Sequence, residues 1–206
     1  MVIDLSLYLV LDAAVCGSRE RLIDTAKLAL NAGVSVLQLR GHKTAWSRRD
    51  WYEVALALKP LCAAARVPLI INDQLDIALA VDADGLHIGQ DDLPVAVARR
   101  LLGKDKILGL STHNSHEAQA ADPAVVNYIG MGPVYSTSSK ADAKPALGLD
   151  GLAELVAVKR VPGVAIGGIN AERASAVRQV NPQGIAVISA ICGQDNIPAA
   201  VAALRA

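Results

Sequence analysis

The chain has 206 residues, of which 52% are hydrophobic and 19% charged; that balance buries a sizeable core and excludes a disordered or low-complexity chain. Its 20 basic and 20 acidic residues cancel, and aromatics make up 3% with no Phe. Neither the basic field nor the stacking surface of a nucleic-acid binder is present, so no nucleic-acid partner is expected.

Met1–Asp12 carries Asp4 and no basic segment ahead of its apolar run, so it reads as a strand rather than a signal peptide. Strand-like apolar runs follow at Leu5–Leu11, Ser35–Arg40, Pro68–Asn72, Gly85–Gly89, Lys106–Ser111, Val125–Met131, Gly163–Gly167 and Gly184–Ser189. Amphipathic stretches lie between and after them, at Arg19–Asn31, Trp46–Ala65, Asp73–Val81, Pro94–Leu102, Ser115–Ala121, Leu152–Lys159, Ala171–Val180 and Ile197–Arg205. Pro94 suits a first helical turn and Ser115 an N-cap. Gly132–Asp150 shows no period and holds Pro133, Pro145 and a Ser/Thr run; a loop of that length in a compact domain is usually functional.

Strict alternation predicts parallel strands joined by right-handed crossovers. Eight units of about 25 residues predict an α/β fold, a (β/α)8 TIM barrel, as one domain over residues 1–206. An open doubly wound sheet also alternates, but no G-x-G-x-x-G follows the first strand. The three cysteines, Cys16, Cys62 and Cys192, have no C-x-x-C spacing, which predicts a reducing cytoplasm rather than a disulfide framework or zinc. No apolar run reaches the roughly 18–20 residues of a membrane span, so no membrane partner is expected. A homo-oligomer is compatible with the sequence.

In a barrel, residues at the C-terminal ends of the strands converge on one mouth. Here they include Gln38, Arg40, His42 and Lys43, then Asn72 and Asp73, then His87, Gln90, Asp91 and Asp92. Ser111, Thr112 and His113 come next, followed by Thr137, Ser138, Ser139 and Lys140, the pair Gly167–Gly168, and Ser189. Asp73 and Asp92 on adjacent strand ends suit Mg²⁺, which takes oxygen ligands and shares them with phosphates; the competing role for Asp73 is a helix cap. Arg40 ends an apolar strand with a planar fork suited to phosphate oxygens, or simply reaches water. Lys140 in the long loop could close over a diphosphate or be solvated. Gly167–Gly168 could bring backbone N–H groups to a phosphate, with Ser189 adding a hydroxyl, or form a tight turn. His87 reads as a structural histidine. His113 and His116 lack a third soft ligand for zinc. Cys192 shows no sign of activation.

In order, the chain contains Gln38-Leu-Arg40, Ile71-Asn-Asp73, Gly85-Leu-His-Ile-Gly-Gln-Asp-Asp92, Gly109-Leu-Ser-Thr-His113, Gly130-Met-Gly-Pro-Val-Tyr-Ser-Thr-Ser-Ser-Lys140 and Val164-Ala-Ile-Gly-Gly-Ile169. From about Leu7 to Ala200 this series resembles the thiamine phosphate synthase family, the H-x-G-Q-x-D element and the T-x-x-K loop being its most specific parts. The resemblance implies a transferase that joins hydroxymethylpyrimidine diphosphate to a thiazole phosphate, carboxylated or not. It implies Mg²⁺ dependence and a dissociative substitution with no protein nucleophile. Carried over by position, Asp73 and Asp92 resemble the metal ligands. Gln38, Arg40, Asn72, Ser111 and Lys140 resemble the residues that hold the pyrimidine diphosphate, with Arg40, Ser111 and Lys140 as the catalytic set. Thr137, Ser138 and Ser139 resemble the thiazole-side loop, and Gly168, Ile188 and Ser189 the thiazole phosphate cradle. One departure stands out. The family reads Q-x-R-x-K, but here His42 occupies the Lys position and Lys43 comes one place late, so either could supply the diphosphate contact. A tautomerase-like relative, a sugar-phosphate isomerase and a non-catalytic phosphate binder are the alternatives. The first tends to lose the diphosphate and metal residues kept here. The second would want an acid–base pair on strand ends, and the third leaves the paired carboxylates unexplained.

Overall fold

In the first strand every second residue belongs to a different core. Tyr8 and Val10 pack in one buried cluster, and Leu7, Leu9 and Leu11 in another. Strands covered on both faces read as near-continuous apolar runs for this reason. The structure, a computed structural model, describes residues 3–41, 46–137 and 144–205. Among these residues are eight strands: β1 (Leu7–Asp12), β2 (Val36–Arg40), β3 (Leu69–Asn72), β4 (Gly85–Ile88), β5 (Ile107–Thr112), β6 (Tyr128–Met131), β7 (Gly163–Ile166) and β8 (Gly184–Val187). Each is parallel to the next, and β8 pairs with β1 through Leu7 and Ile185, closing the barrel. The α/β barrel expected from the alternation is the observed fold.

The helices are α1 (Ala13–Cys16), α2 (Arg19–Ala32), α3 (Arg48–Ala65), α4 (Leu75–Ala80), α5 (Val95–Leu102), α6 (Ser115–Ala120), α7 (Gly148–Val158), α8 (Ala171–Gln179) and α9 (Ile197–Arg205). Their apolar faces, with the outward residues of the strands, form the larger core. Among the described residues no helix is long and apolar enough to cross a membrane.

The barrel interior is a separate small cluster containing Tyr8, Val10, Val36, Ile70, Ile107, Tyr128, Val164 and Ala186. Two tyrosines do the filling that Phe would do elsewhere. They fit because small residues stand beside them. A Cβ added at Gly109 would lie 2.2 Å from the Tyr128 ring and 2.5 Å from His87 Nδ1.

Several boundaries differ from expectation for identifiable reasons. The sixth strand starts at Tyr128 rather than Val125, because the Val125 and Val126 N–H groups turn back to the Asp122 carbonyl. The seventh strand ends before Gly167, whose φ of +105° leaves the extended region. The N-cap of α6 is Asn114, one residue before Ser115, and its side chain accepts from the Glu117 N–H. Pro94 is itself the N-cap residue of α5. α7 begins at Gly148, inside the segment expected to lack structure. α1 had no sequence expectation; its single turn is capped by Asp12.

Candidate active site

The C-terminal ends of the strands surround one cavity of 1270 Å³. Gln38, Arg40, Asn72, Asp73, Asp92, Ser111, Thr137, Gly168, Ile188 and Ser189 all line it. Ten of the expected site residues are thus brought together. His42, Lys43, Ser138, Ser139 and Lys140 lie outside the described residues.

Arg40, at the end of β2, meets a residue that the sequence reading passed over. Its Nη1 donates to Asp12 Oδ2 at 2.6 Å, and the two side chains are 13% and 2% exposed. Asp12 ends β1 directly beside Arg40 in the register. Its other oxygen, Oδ1, accepts from the Ala14 and Val15 N–H groups. One carboxylate therefore starts α1 and anchors the guanidinium whose fork borders the cavity.

The next sector holds the two candidate metal-binding carboxylates. Asp73 follows β3 with φ +58°, a left-handed conformation that Asp tolerates better than most residues. That turn bears on its alternative role. The N-cap of α4 is Gln74, with no side-chain cap bond, so Asp73 does not cap that helix. Asn72 Nδ2 donates to Asp73 Oδ2 at 2.7 Å. Asp92 is held by the Gly89 N–H on Oδ2 at 2.8 Å. Both carboxylates therefore border the cavity on fixed backbone, as hard oxygen donors. Among the described residues no group of three or more His, Cys, Asp or Glu forms a metal cluster.

On the opposite side, the β6 and β7 loops pack on each other. The Val134 N–H donates to the Ile166 carbonyl and the Tyr135 N–H to the Gly167 carbonyl. Gly167 and Gly168 are both left-handed, and a Cβ on Gly168 would lie 2.8 Å from the Ser136 carbonyl oxygen and from Tyr135 Cβ. The pair is thus a turn and, at once, a bare backbone edge of the cavity beside Ile188 and Ser189. Sequence reasoning also missed Arg173 of α8, which lines this sector. Its guanidinium lies 4.6 Å from the Tyr135 ring centroid and donates to the Gly168 carbonyl.

His87 is more than a buried structural residue. Nδ1 lies 2.9 Å from Tyr128 Oη and Nε2 lies 3.0 Å from Ser111 Oγ, so the ring links the barrel interior to the cavity. Tyr8 and Tyr128, also missed, border the cavity floor. Burial pushes both phenols well above their ordinary range, so they stay protonated. Elsewhere, His113 is paired with Glu117 at 3.2 Å. Cys192 is buried, and its hydrogen-bonded neighbour Cys16 first, with burial second, pushes its thiol up.

A closed parallel barrel whose strand ends gather these groups around one mouth is built as a (β/α)8 barrel enzyme. Comparison with known proteins is more specific. Residues 7–191 match the family model described as thiamine monophosphate synthase. The thiamine-phosphate synthase of Syntrophomonas wolfei is 49% identical, over 98% of this chain and 95% of the relative. That of Laribacter hongkongensis is 46% identical, over 97% and 93%. The solved thiamine phosphate pyrophosphorylase of Pyrococcus furiosus superposes with a TM-score of 0.85 at 32% identity, covering 98% of this chain and 94% of that one. A 3-hexulose-6-phosphate synthase, at 18% identity and a TM-score of 0.70, shares the fold alone. The chain belongs to the thiamine monophosphate synthase family, whose members are transferases.

Proposed function

We propose that the chain joins hydroxymethylpyrimidine diphosphate to a thiazole phosphate, releasing diphosphate and forming thiamine phosphate. The observation that carries this reading is one cavity with two polar sides, one that would take a diphosphate together with a metal ion and one that would take a phosphate. Arg40, Asp73 and Asp92 stand on one, and Gly168 with Ser189 on the other.

The bond that breaks joins the pyrimidine methylene carbon to the diphosphate oxygen, and its electron pair leaves with diphosphate. The methylene cation is stabilised by the electron-rich pyrimidine. The thiazole nitrogen then supplies the electron pair of the new carbon–nitrogen bond. No protein nucleophile is required. The protein's work is to bind charge as it develops and to hold the two rings in line.

Gln38, Asn72 and Ser111 would orient the pyrimidine diphosphate. Arg40 and Lys140 would balance the negative charge gathering on the departing group, with His42 or Lys43 adding a further cation. Thr137, Ser138 and Ser139 would form the thiazole-side wall, and Gly168, Ile188 and Ser189 would cradle its phosphate. Asp73 and Asp92 fit Mg²⁺ because both are hard oxygen donors fixed on adjacent strand ends. When bound, Mg²⁺ would supply positive charge to the diphosphate oxygens. The reducing cytoplasm is the proposed setting, a reading supported by three buried free thiols.

The test is direct. Purified protein is incubated with both substrates and Mg²⁺, with an EDTA control, and thiamine phosphate is read as its fluorescent oxidation product. Product that EDTA suppresses is the expected result. Asp92→Ala should abolish turnover with little change in melting temperature, since Asp92 sits in a loop at the cavity. A folded wild-type protein that forms no product would overturn the reading, and full activity in Asp92→Ala would remove that residue from the metal site.

A further inference from the structure

Five side chains from five strands form one chain of hydrogen bonds across the barrel. Gln38 Nε2 donates to Tyr8 Oη at 2.8 Å. Tyr8 Oη lies 2.7 Å from Tyr128 Oη, which lies 2.9 Å from His87 Nδ1. His87 Nε2 lies 3.0 Å from Ser111 Oγ. Tyr8, Gln38, His87 and Tyr128 are buried, and all five residues border the cavity. Space is reserved for the link: a Cβ on Gly109 would lie 2.4 Å from Tyr128 Oη and 2.5 Å from His87 Nδ1, so the bare Cα leaves room for the Tyr128–His87 bond.

Counting protons gives the chain a direction. Each phenol has one proton, and both phenols stay protonated. With Gln38 donating to Tyr8, the Tyr8 proton goes to Tyr128 and the Tyr128 proton to His87 Nδ1. A neutral ring that accepts at Nδ1 carries its own proton on Nε2, where it donates to Ser111 Oγ. In the reverse direction Tyr8 would receive two donors, from Gln38 and Tyr128. Its own proton would then lack an acceptor in this chain, and a buried donor left unsatisfied is costly.

We propose that this chain holds His87 neutral with its proton on Nε2, so that Ser111 accepts from His87 and turns its hydroxyl proton into the cavity as a donor. His87 and Tyr128 are then positioning residues, acting through Ser111. The acceptor it serves is an oxygen or nitrogen lone pair on the bound pyrimidine diphosphate. That last step rests on the proposed function; the proton arrangement does not. No bond is made or broken along the chain. Its value is that the Ser111 donor is already oriented before charge develops, with no reorganisation at the moment of reaction.

The test begins without turnover. In protein labelled with ¹⁵N at histidine, the His87 signals are assigned by their loss in His87→Gln. Nε2 should show the shift of a protonated imidazole nitrogen and Nδ1 that of a bare one. Tyr128→Phe removes the donor to Nδ1 and should shift this pattern toward a mixture of tautomers. In the synthase assay Tyr128→Phe should lower kcat about tenfold, the order of one lost hydrogen bond, with KM for both substrates nearly unchanged. Glutamine at position 87 can still donate from its amide toward Ser111, so His87→Gln should retain more activity than His87→Ala. Melting temperatures show whether each variant is folded. A proton on Nδ1 in the free protein would overturn the proposal, as would a folded Tyr128→Phe with unchanged tautomer and kcat, or a folded His87→Gln no better than His87→Ala. Absence of product from wild type would strike the function reading alone and leave the tautomer result standing.

Discussion

Asp12 divides its work between two oxygens, and one substitution separates them. Oδ1 caps α1 through the Ala14 and Val15 N–H groups, while Oδ2 takes the Arg40 guanidinium. Asp12→Asn can keep the capping oxygen and places an amide NH₂ against Arg40, which cannot accept. The pair is 2% and 13% exposed. Removing one partner of a fully buried pair costs about 3–5 kcal/mol, and because Arg40 reaches the cavity a value near 2–3 kcal/mol is expected. For a chain of this length that lowers Tm by about 5–10 °C. Asp12→Ala also loses the cap and should cost a further ~1 kcal/mol. Function should change as well, because the anchor sets where the Arg40 fork points. In Asp12→Asn, KM for the pyrimidine diphosphate should rise about tenfold, equivalent to ~1.4 kcal/mol of binding, with KM for the thiazole phosphate little changed. Thermal melts and initial rates at varied diphosphate concentration measure both. An Asp12→Asn protein that melts with wild type and keeps its KM would refute the reasoning, showing that other contacts suffice to hold Arg40.

Three further outcomes follow from other parts of the molecule. Gly168→Ala forces a Cβ to 2.8 Å from the Ser136 carbonyl oxygen at a φ of +61°; it should raise KM for the thiazole phosphate while sparing that for the pyrimidine diphosphate, which steady-state kinetics would separate. Asp82 is held at about 2 by hydrogen bonds from Lys106 first and Lys59 second. Because its folded pKa lies below the ordinary carboxylate range, its contribution is complete above that range and is lost as pH falls toward 2. Asp82→Asn should therefore lose less stability between about pH 4 and 2 than wild type, as urea titrations at each pH would show. Burial, and secondarily the Asp84 charge, pushes the Cys62 thiol up to about 12. In the native protein at neutral pH it should resist iodoacetamide and react once urea unfolds the chain, which mass spectrometry would resolve.

The barrel was legible because β-type and helix-type patterning alternate along the chain, and many of the strand runs end at Gly, Asn or Ser. Boundaries were less legible where hydrogen bonds, rather than composition, end an element. Val125 and Val126 are good strand residues, yet their N–H groups are taken by the Asp122 carbonyl. The candidate site was legible wherever a polar side chain interrupts an apolar strand end, as at Gln38, Arg40, Asn72, Asp73 and Ser111. It was illegible where the residue type suits the core. Leu7-Tyr-Leu-Val-Leu11 is apolar or aromatic at every position, so nothing local says which alternate set faces the interior. The register supplies that information. Val10 pairs with Gln38 and Tyr8 with Val36, which places Tyr8 on the inward face that Gln38 marks. His87 aligns with Gly109, and Gly109 with Tyr128, which puts the second tyrosine against the histidine. The two tyrosines thus join the isolated polar positions of β2, β4 and β5 into one structure. Asp12 escaped for a related reason. As the last residue of an apolar strand it looked like a boundary, and only the pairing with Arg40 shows that this boundary carries the charge that anchors a guanidinium at the cavity.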